Sequence, residues 1–588
     1  MLQPGEGLDD LANSGLRSVA PTVAHPLLGA DEVFPESGDS EVKLSRWALM
    51  RWCRGKLSAP DVIDCCMHAP KSDHDPLAKQ MAGIDPRNAH RGLMSAIKRH
   101  VPANVAPLYW ANIPMYDETS RSQKLVPLPF CLPHEWLADM ASADPEAWAA
   151  STPELQKVVE EWRQRVHAPA DDGKVIAPLT LWGDSAPYHT GTDSVDLLLW
   201  GGANKESRNW ITVISQAAMC RCGCGGKCTL VACWRVVNWS FQALLAGVYP
   251  LQDHEGNAFS EPWRIAKSGM DLPLRGACVQ FRGDWPWLSY CFDVNYHSNK
   301  FPCFLCGASK EDEICPFTDP GLSATWRSTC VTHDQFLRQR FVNRQRVSAI
   351  FGLPGFRMEY ILLDFMHMCD LGATQVAVGN CLWELFLEVG GTVGDPAEAL
   401  AELVKLLKAT GQRIGMDFPF SLLKLKHIRS GVVPRLRAKA AKGRAVARIV
   451  TACMEEFFGC PSKREETRLL CMKQLVSMYD IMENWDQDSQ AALEIACRKH
   501  LLLFLELSKL HADDPAGWVR WRWYPKHHML LHLTGDQAKR MGNPRSWWCY
   551  QDEGQIGMAA RICESVHIAT LSKTCMEKYL VLLRLNRM

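Results

Sequence analysis

Two Gly-Asp pairs, each following a β-rich run, constrain the fold of this sequence more than any other feature. The first is Gly183-Asp184, and the second is Gly283-Asp284. An acid placed just past a strand end is one way for a sheet to present a ligand to a hard cation such as Mg²⁺. Each pair taken alone also fits a turn, because glycine supplies a positive φ and aspartate accepts local backbone hydrogen bonds.

The segment that joins the two pairs is predicted to be an ordered unit. Short runs of Leu, Val, Ile and Trp indicate strands, and a longer run with apolar residues at helical spacing indicates a helix. The predicted strands cover 175–181, 196–200, 210–215 and 274–281, and the helix covers 228–249. This order resembles the start of a ribonuclease-H-like fold, in which acids follow strands one and four. Two carboxylates that converge on one edge repel each other unless a divalent cation lies between them.

Length and charge narrow the class of protein. The 588 residues are too many for one hydrophobic core, so we expect roughly two to four domains. Lys plus Arg and Asp plus Glu each number 65, so no global basic field favours nucleic acid. The N-terminal stretch lacks the features of a signal peptide, and no window reaches the apolar length of a bilayer span. We therefore expect an intracellular protein with no membrane partner.

The 24 cysteines favour reduced thiols and metal sites over a disulfide framework. Cys303-x-x-Cys306 and Cys330-x-x-His333 have the local spacing of a tetrahedral structural zinc site. Cys315 is a rival third ligand, and a redox or packed pair is the alternative interpretation.

A second cysteine cluster places four thiols in one short glycine-rich stretch. Its members are Cys220, Cys222, Cys224 and Cys228. The glycines would let the chain wrap a metal ion, but Cys-x-Cys steps are less diagnostic than Cys-x-x-Cys knuckles. Ligand type alone leaves metal binding and plain packing equally open.

The middle of the chain predicts a helical domain over residues 375–510. Asp364 and His367 precede it, and their spacing puts them on one helix face as a metal-ligand pair, an oriented imidazole or a plain buried pair. Within the domain lies a basic stretch that is free of acids. Its cations are Lys424, Lys426, Arg429, Arg435, Arg437, Lys439, Lys442 and Arg444, followed by Arg448. Such cations could contact phosphates or could form a solvated helix face.

Both ends of the chain are less informative. Residues 1–40 are predicted to be disordered, and residues 41–170 to be mostly helical. A helix-turn-helix-like DNA contact in the latter region competes with plain packing. Near the C-terminus, His527, His528 and His532 precede Glu553 and could bind metal or belong to the core.

These motifs together resemble a DDE transposase of the group carried by CACTA-type elements. The resemblance covers about residues 175–560 and rests on the order of the motifs. The motifs are Gly183-Asp184, Leu274-Arg-Gly through Asp284, Phe301-Pro-Cys303-x-x-Cys306, Asp364-x-x-His367 with Leu371-Gly372, and Tyr524-Pro-Lys-x-His528 with His532 and Glu553.

The resemblance implies an α/β architecture in which a large helical insertion interrupts a ribonuclease-H-like core. The implied segments are 175–300 for the first part of the core, 301–340 for the zinc knuckle, 341–515 for the insertion and 516–588 for the return to the core. Asp184, Asp284 and Glu553 would be the catalytic acids, with Asp552, Glu564 and Asp364 as alternatives for the third.

The implied chemistry is DNA strand cleavage and transfer with Mg²⁺ or Mn²⁺ at the acids and structural Zn²⁺ at the knuckle. The implied partner is double-stranded DNA at the element ends, in the nucleus, with a homo-oligomer as an option. Two alternatives stay open, namely a catalytically inactive DNA- or protein-binding descendant and a nuclease on the same core.

Overall fold

The computed structural model describes residues 43–588 except 70–74, 104, 119, 170–171, 189–192, 204, 342–347, 458–461, 513–515 and 588. The disorder predicted for residues 1–40 lies outside the described residues. The helices are α1 (Leu44–Cys53), α2 (Ala59–His68), α3 (Pro76–Ala82), α4 (Ala89–His100), α5 (Pro133–Met140), α6 (Pro153–Arg165), α7 (Lys227–Ala246), α8 (Pro262–Lys267), α9 (Trp285–Phe292), α10 (His333–Phe341), α11 (Gln375–Val393), α12 (Pro396–Arg413), α13 (Leu425–Ile428), α14 (Ala440–Phe457), α15 (Lys463–Glu483), α16 (Ser489–Leu510), α17 (Pro525–His532), α18 (Ala538–Met541), α19 (Tyr550–Glu564) and α20 (Leu571–Asn586). The strands are β1 (Tyr109–Asp117), β2 (Ser122–Phe130), β3 (Ile176–Pro187), β4 (Ser194–Gly202), β5 (Asn209–Ser215), β6 (Arg275–Arg282), β7 (Arg429–Ser430) and β8 (Val433–Pro434).

A four-stranded sheet in the order β5-β4-β3-β6 lies at the centre of the site region. β3 pairs antiparallel with β4 and parallel with β6, and β4 pairs antiparallel with β5. The four predicted strands and the helix between the third and fourth are therefore confirmed. A parallel bridge from Phe281 to Ile361 adds the segment that precedes Asp364 to the free edge of β6.

The sheet is covered on both faces, which explains why its strands are continuous apolar runs. Every residue of β5 and β6 is buried. The ring of Trp210 on β5 stacks on Tyr579 of α20 with centroids 4.5 Å apart. Helix α7 packs against β6. A sheet buried in this way favours Val, Ile, Leu and Trp at successive positions rather than alternation with polar residues.

The N-terminal region is less uniformly helical than predicted. Helix α2 begins at a capping box that is formed by the side chains of Ser58 and Asp61. The antiparallel hairpin of β1 and β2 was not predicted. Its second strand contains Pro127 and Pro129, which lack the N–H that a central strand needs and are tolerated at an edge.

Helices α11, α12, α14, α15 and α16 make residues 375–510 mostly helical, as predicted. Arg468 of α15 lies inside this helical region and pairs with the buried Glu384 of α11. Among the described residues, no single helix is long and apolar enough to cross a bilayer, although the bent pair Met366–Gly391 and Pro396–Arg413 passes by length and composition.

Candidate active site

Gly183-Asp184 lies in β3 and Gly283-Asp284 directly follows the neighbouring strand β6, and one tryptophan packs against both glycines. A Cβ on Gly183 would lie 2.0 Å from Trp287 Cζ2, and a Cβ on Gly283 would lie 2.5 Å from Trp287 Cδ1. Only glycine leaves room for this indole at either position. Both glycines therefore serve close packing, a reason for glycine that the sequence, which left a turn open for each pair, did not indicate.

Asp184 lies within β3 and not beyond its end, which corrects the prediction. Its backbone pairs with Leu197 of β4, whereas the pairing of β3 with β6 ends at Trp182 and Arg282. The strand continues because β4 extends further than β6. Asp184 thus lies at the point where the sheet loses its parallel neighbour, and its side chain is half-buried.

Asp284 has a structural role as well as its place beside Asp184. Its Oδ1 accepts a hydrogen bond from the backbone N–H of Trp287 at 2.7 Å, which caps the N-terminus of α9. The cap fixes the orientation of the carboxylate and satisfies one of the free N–H groups of the helix. One carboxylate oxygen remains for another ligand.

The third acid comes from the first turn of α19, where two acids are adjacent. Asp552 is fully buried and pairs with Arg208 at 2.7 Å. Glu553 is 37% exposed, and its Oε1 lies 3.7 Å from His367 Nε2. Glu564 is exposed at the opposite end of the helix. Of these three acids, Glu553 is the one whose charge contributes to raising the pKa of Asp184.

Asp364 is fully occupied as a hydrogen-bond acceptor and is buried. Its Oδ1 accepts from the backbone N–H of Cys549 at 2.9 Å. Its Oδ2 accepts from the backbone N–H of His367 at 3.0 Å and lies 2.6 Å from the Nδ1 of the same residue. The predicted Asp-x-x-His pair is therefore a carboxylate that orients an imidazole. The chain continues into a π-helical segment, Met366–Thr374, a form that often marks functional sites.

The three acids influence one another through their charges. Burial raises the pKa of Asp184 well above its usual value, and the charges of Asp284 and Glu553 raise it further. Burial also raises the pKa of Asp284. Burial raises the pKa of Glu553 to about 7, although the positive charge of His367 acts to lower it. A cation between the carboxylates would relieve this repulsion.

Among the described residues, His367 is the cation that pairs with Glu553. Burial alone would lower the pKa of His367, but the hydrogen bond that its ring N–H donates to Asp364 and the nearby negative charges raise it to about 9. The imidazole is therefore protonated at neutral pH and partly balances the acids.

Lys526 supplies a second positive charge close to the acids. Its Nζ donates to the backbone carbonyl of Leu371 at 3.2 Å. Burial lowers the pKa of Lys526 to about 8, Arg435 lowers it further, and the charges of Asp284 and Asp364 act in the opposite direction. An amine in this position could bind a phosphate oxygen.

A cavity of about 690 Å³ opens beside Asp184 and Asp284. Asp196, a buried acid of β4, also lines it and accepts from Ser185 Oγ and Gln216 Nε2, both at 2.6 Å. Burial raises the pKa of Asp196 to about 6. Among the described residues, the carboxylate oxygens of the three site acids do not all lie within 4.8 Å of one another.

The predicted zinc ligands are only partly brought together. The Sγ atoms of Cys303 and Cys306 and the imidazoles of His528 and His532 offer ligand atoms within 4.8 Å of one another. His333 is not a member, and its Nδ1 instead accepts the backbone N–H of Met358 at 3.2 Å. Cys303 and Cys306 of the predicted set are therefore joined by two histidines of α17, and His333 from the nearby chain is not part of this group.

The surroundings of this Cys₂His₂ set suit a structural zinc ion. The backbone N–H of Leu305 donates to Cys303 Sγ at 3.3 Å. Asp536 Oδ2 lies 3.2 Å from His532 Nδ1, as expected for a carboxylate that orients a ligating imidazole. Cys330 is near this cluster, since its thiol forms a further group with His532 and Asp536. The predicted alternative ligand Cys315 is buried and belongs to none of these groups.

The second cysteine cluster is also assembled. Ligand atoms of Cys220, Cys222, Cys224 and Cys228 all lie within 4.8 Å of one another, so this set could bind zinc. Together the two clusters use six of the 24 cysteines of the chain.

The predicted basic surface is divided by the fold. Lys424, Lys426, Arg437 and Lys439 are exposed, and Lys442 is half-buried. The other cations have internal contacts. Arg429 lies over Trp383 and Trp518, Arg435 donates to Gln375 Oε1, Arg444 approaches Asp370 and lies over Trp548, and Arg448 pairs with Asp480 and Glu483. The stretch runs through α13, the β7-β8 hairpin and the start of α14, so it does not form one helix face.

Sequence reasoning missed Asp196, and it left His528 and His532 open between metal binding and the core without grouping them with Cys303 and Cys306. Asp196 opens a predicted strand, and nothing local marks an acid that will be buried beside a cavity. The two histidines are one helical turn apart, which is a spacing that two ligands of one metal ion can have. That spacing was the only available signal. No family model matches the chain, and no curated protein matches it at a significant level.

Proposed function

We propose that the chain is a DDE-type transposase that cleaves and joins DNA strands at a ribonuclease-H-like core. The observation that carries this proposal is the convergence of Asp184, Asp284 and Glu553 from three distant parts of the sequence. The strand order β5-β4-β3-β6, with its antiparallel and parallel pairings, supports it.

The carboxylates of Asp184, Asp284 and Glu553 are hard oxygen ligands of the kind that Mg²⁺ or Mn²⁺ prefers. These three half-buried groups repel one another, and few nearby side-chain cations balance their charge. Asp184, Asp284 and Glu553 would hold the metal, which supplies activation of a water or 3′-hydroxyl and stabilisation of the leaving oxygen. His367 stays protonated and orients toward Glu553. Lys526, which interacts electrostatically with Asp284, would neutralise charge on a phosphate group that binds there.

The test is cleavage of labelled duplex DNA in Mg²⁺ and Mn²⁺ by the parent protein and by Asp184→Asn. Glu564→Gln is the matched control for the loss of an exposed acid. We expect metal-dependent cleavage and strand joining in the parent and the control and neither in Asp184→Asn. Cleavage by a folded Asp184→Asn protein would remove this acid from the mechanism.

The products also separate the proposal from its alternatives. Cleavage without joining would identify a nuclease on the same core. DNA binding without any product would identify an inactive binding module.

We also propose that the exposed cations near α13 hold the DNA outside the site. Lys424 and Lys426 are exposed, and neither forms an ion pair with another described residue. Replacing both with glutamine should reduce the slope of log affinity against log salt by about 2, since each lost phosphate contact is worth ~0.9. The exposed pair Lys408 and Lys499, replaced in the same way, is the matched control. Equal slopes for the two variants would exclude this surface.

A further inference from the structure

The second cysteine cluster lies in a loop with the geometry of a metal site. We call residues 220–228 the cysteine loop. The Sγ atoms of Cys222 and Cys228 lie 3.6 Å apart. Ligands on a tetrahedron with Zn–S bonds of ~2.3 Å are separated by ~3.8 Å, so the sulfurs are already near zinc-binding positions.

The backbone of the cysteine loop is arranged around its sulfurs. Gly223, Gly225 and Gly226 have φ values of 89°, 59° and 82°, which side-chain-bearing residues rarely adopt. These turns bring sulfurs that are close in sequence onto one centre. The backbone N–H of Cys228, at the start of α7, donates to Cys224 Sγ at 3.4 Å. Such an N–H group stabilises a thiolate, which is the form that binds metal.

Plain packing does not explain the cluster. Cys222 is exposed, and Cys224 and Cys228 are only half-buried, whereas the cysteines of the hydrophobic core are almost completely buried. Exposed thiols gain little from contact with each other, because burial of apolar surface is what stabilises a packed cysteine.

The cysteine loop also forms one wall of the cavity whose other wall carries the site acids. Cys220, Arg221 and the three loop glycines line it together with Asp184 and Asp284. Tyr290 of α9 donates its hydroxyl to the carbonyl of Gly225 at 3.0 Å. A Cβ on Gly226 would lie 2.7 Å from the same hydroxyl. The loop is therefore joined to the helix that Asp284 caps.

The same wall carries a cation. Arg221 lies 4.4 Å from the ring centroid of Tyr116 and pairs with Glu118 at 2.6 Å. Both partners belong to the β1-β2 hairpin region, and Cys220 Sγ donates to Gln123 Oε1 at 3.0 Å. A guanidinium that is held over an aromatic ring beside a cavity can contact a phosphate or stack on a base.

We propose that the cysteine loop binds one zinc ion and that this ion fixes the cavity wall against which a single DNA strand lies beside the acids. The second half of the proposal rests on the proposed function, whereas the first half does not. The ligands would be Cys220, Cys222, Cys224 and Cys228, which are distinct from the Cys₂His₂ set.

The first measurement is the metal content of the full-length protein after addition of Zn²⁺. The parent should bind about two zinc ions per chain, one in each cluster, and Cys222→Ser/Cys224→Ser should bind one fewer. Cys65→Ser, which removes a half-buried thiol outside both clusters, should bind as many as the parent. Loading with Co²⁺ should give thiolate-to-cobalt absorption that falls by more than half in the double variant. Unchanged zinc content and an unchanged cobalt spectrum in the double variant would overturn the site.

The second measurement is the affinity for a labelled single-stranded oligonucleotide in the absence of Mg²⁺. The zinc-depleted double variant should bind it about tenfold more weakly, because the base-stacking and phosphate contacts of the wall depend on an ordered loop. Cys65→Ser, which lies outside both clusters, should bind the strand as tightly as the parent, and the circular dichroism of the double variant should match that of the parent, so that any loss does not come from misfolding. Loss of zinc with full affinity would overturn the role of the wall. Zinc binding and strand binding in a protein without cleavage would leave this inference intact and refute the proposed function.

Discussion

Replacing Glu553 with glutamine should stabilise the protein at pH 8 when no divalent cation is present. Burial raises the pKa of Glu553 from 4.5 to about 7, and the charges of Asp364 and Asp284 add to the effect while His367 opposes it. The ionised carboxylate is therefore less favourable in the folded chain than in the unfolded chain.

The direction and size of the effect follow from this pKa. Because the folded state holds the proton more tightly, the stability present below pH 4.5 is lost as the pH rises through about 7. At 1.36 kcal/mol per pKa unit, the full loss would be about 3.4 kcal/mol. The side chain is 37% exposed, so solvent screening reduces the expected loss to about 1 to 2 kcal/mol.

Urea unfolding in EDTA at pH 5 and at pH 8 measures this difference. The free energy of unfolding of Glu553→Gln should exceed that of the parent by about 1 to 2 kcal/mol at pH 8 and by much less at pH 5. Glu564→Gln is the control, because it removes an exposed acid from the other end of α19. Addition of Mg²⁺ should stabilise the parent more than Glu553→Gln, since a ligand that binds only the folded state raises its stability.

The reasoning fails if Glu553→Gln and Glu564→Gln change the free energy of unfolding equally at both pH values. It also fails if Glu553→Gln destabilises the protein at pH 8. The first result would mean that Glu553 is solvated like an ordinary surface acid, and the second that its pairing with His367 outweighs the repulsion from the other carboxylates.

Three further predictions use other parts of the structure. Arg208→Met leaves the fully buried carboxylate of Asp552 without its cation. This change should lower the free energy of unfolding in urea by about 3 to 5 kcal/mol, and a loss below 1 kcal/mol would contradict the prediction. Gly183→Ala places a Cβ 2.0 Å from Trp287 and should cost about 1 to 3 kcal/mol in the same assay, whereas an unchanged midpoint would show that the indole moves freely. His528→Ala should lose one bound zinc ion per chain in metal analysis and His333→Ala should lose none, and the opposite pattern would restore the ligands predicted from sequence.

The sheet was predictable from sequence because its strands are buried on both faces. Runs such as Trp210–Ser215 contain almost only β-branched and aromatic residues, a composition that local propensity and burial both favour. The β1-β2 hairpin was not predictable in this way, because Pro127 and Pro129 disfavour a strand and only its position at an edge makes them tolerable.

The site was predictable only where local spacing determines the contacts. Asp364 and His367 are three positions apart in sequence, and their side chains are in contact in the structure. The partner of Cys306 is separated from it by 222 residues, so spacing could not identify His528. The chain nearby offered Cys330 and His333 with equally suitable spacing, and only tertiary packing decides between them.

The basic stretch shows a different limit. Charge pattern along the sequence cannot separate a cation that faces solvent from one that supports the fold. Arg435 and Lys439 are close in sequence, yet Arg435 donates to Gln375 and Lys439 is exposed.

The Cys₂His₂ cluster has a consequence for how this chain can tolerate change. A metal ion that joins Cys306 to His528 would close a loop of 222 residues, which includes all of α11 to α16. In the chain-entropy model, such a cross-link lowers the conformational entropy of the unfolded state, which stabilises the folded state by about 5 kcal/mol. Because closure entropy grows only with the logarithm of length, doubling this loop would cost only about 0.6 kcal/mol more. The helices between the two ligand pairs could therefore lengthen or shorten considerably while the acids on either side of them keep their positions.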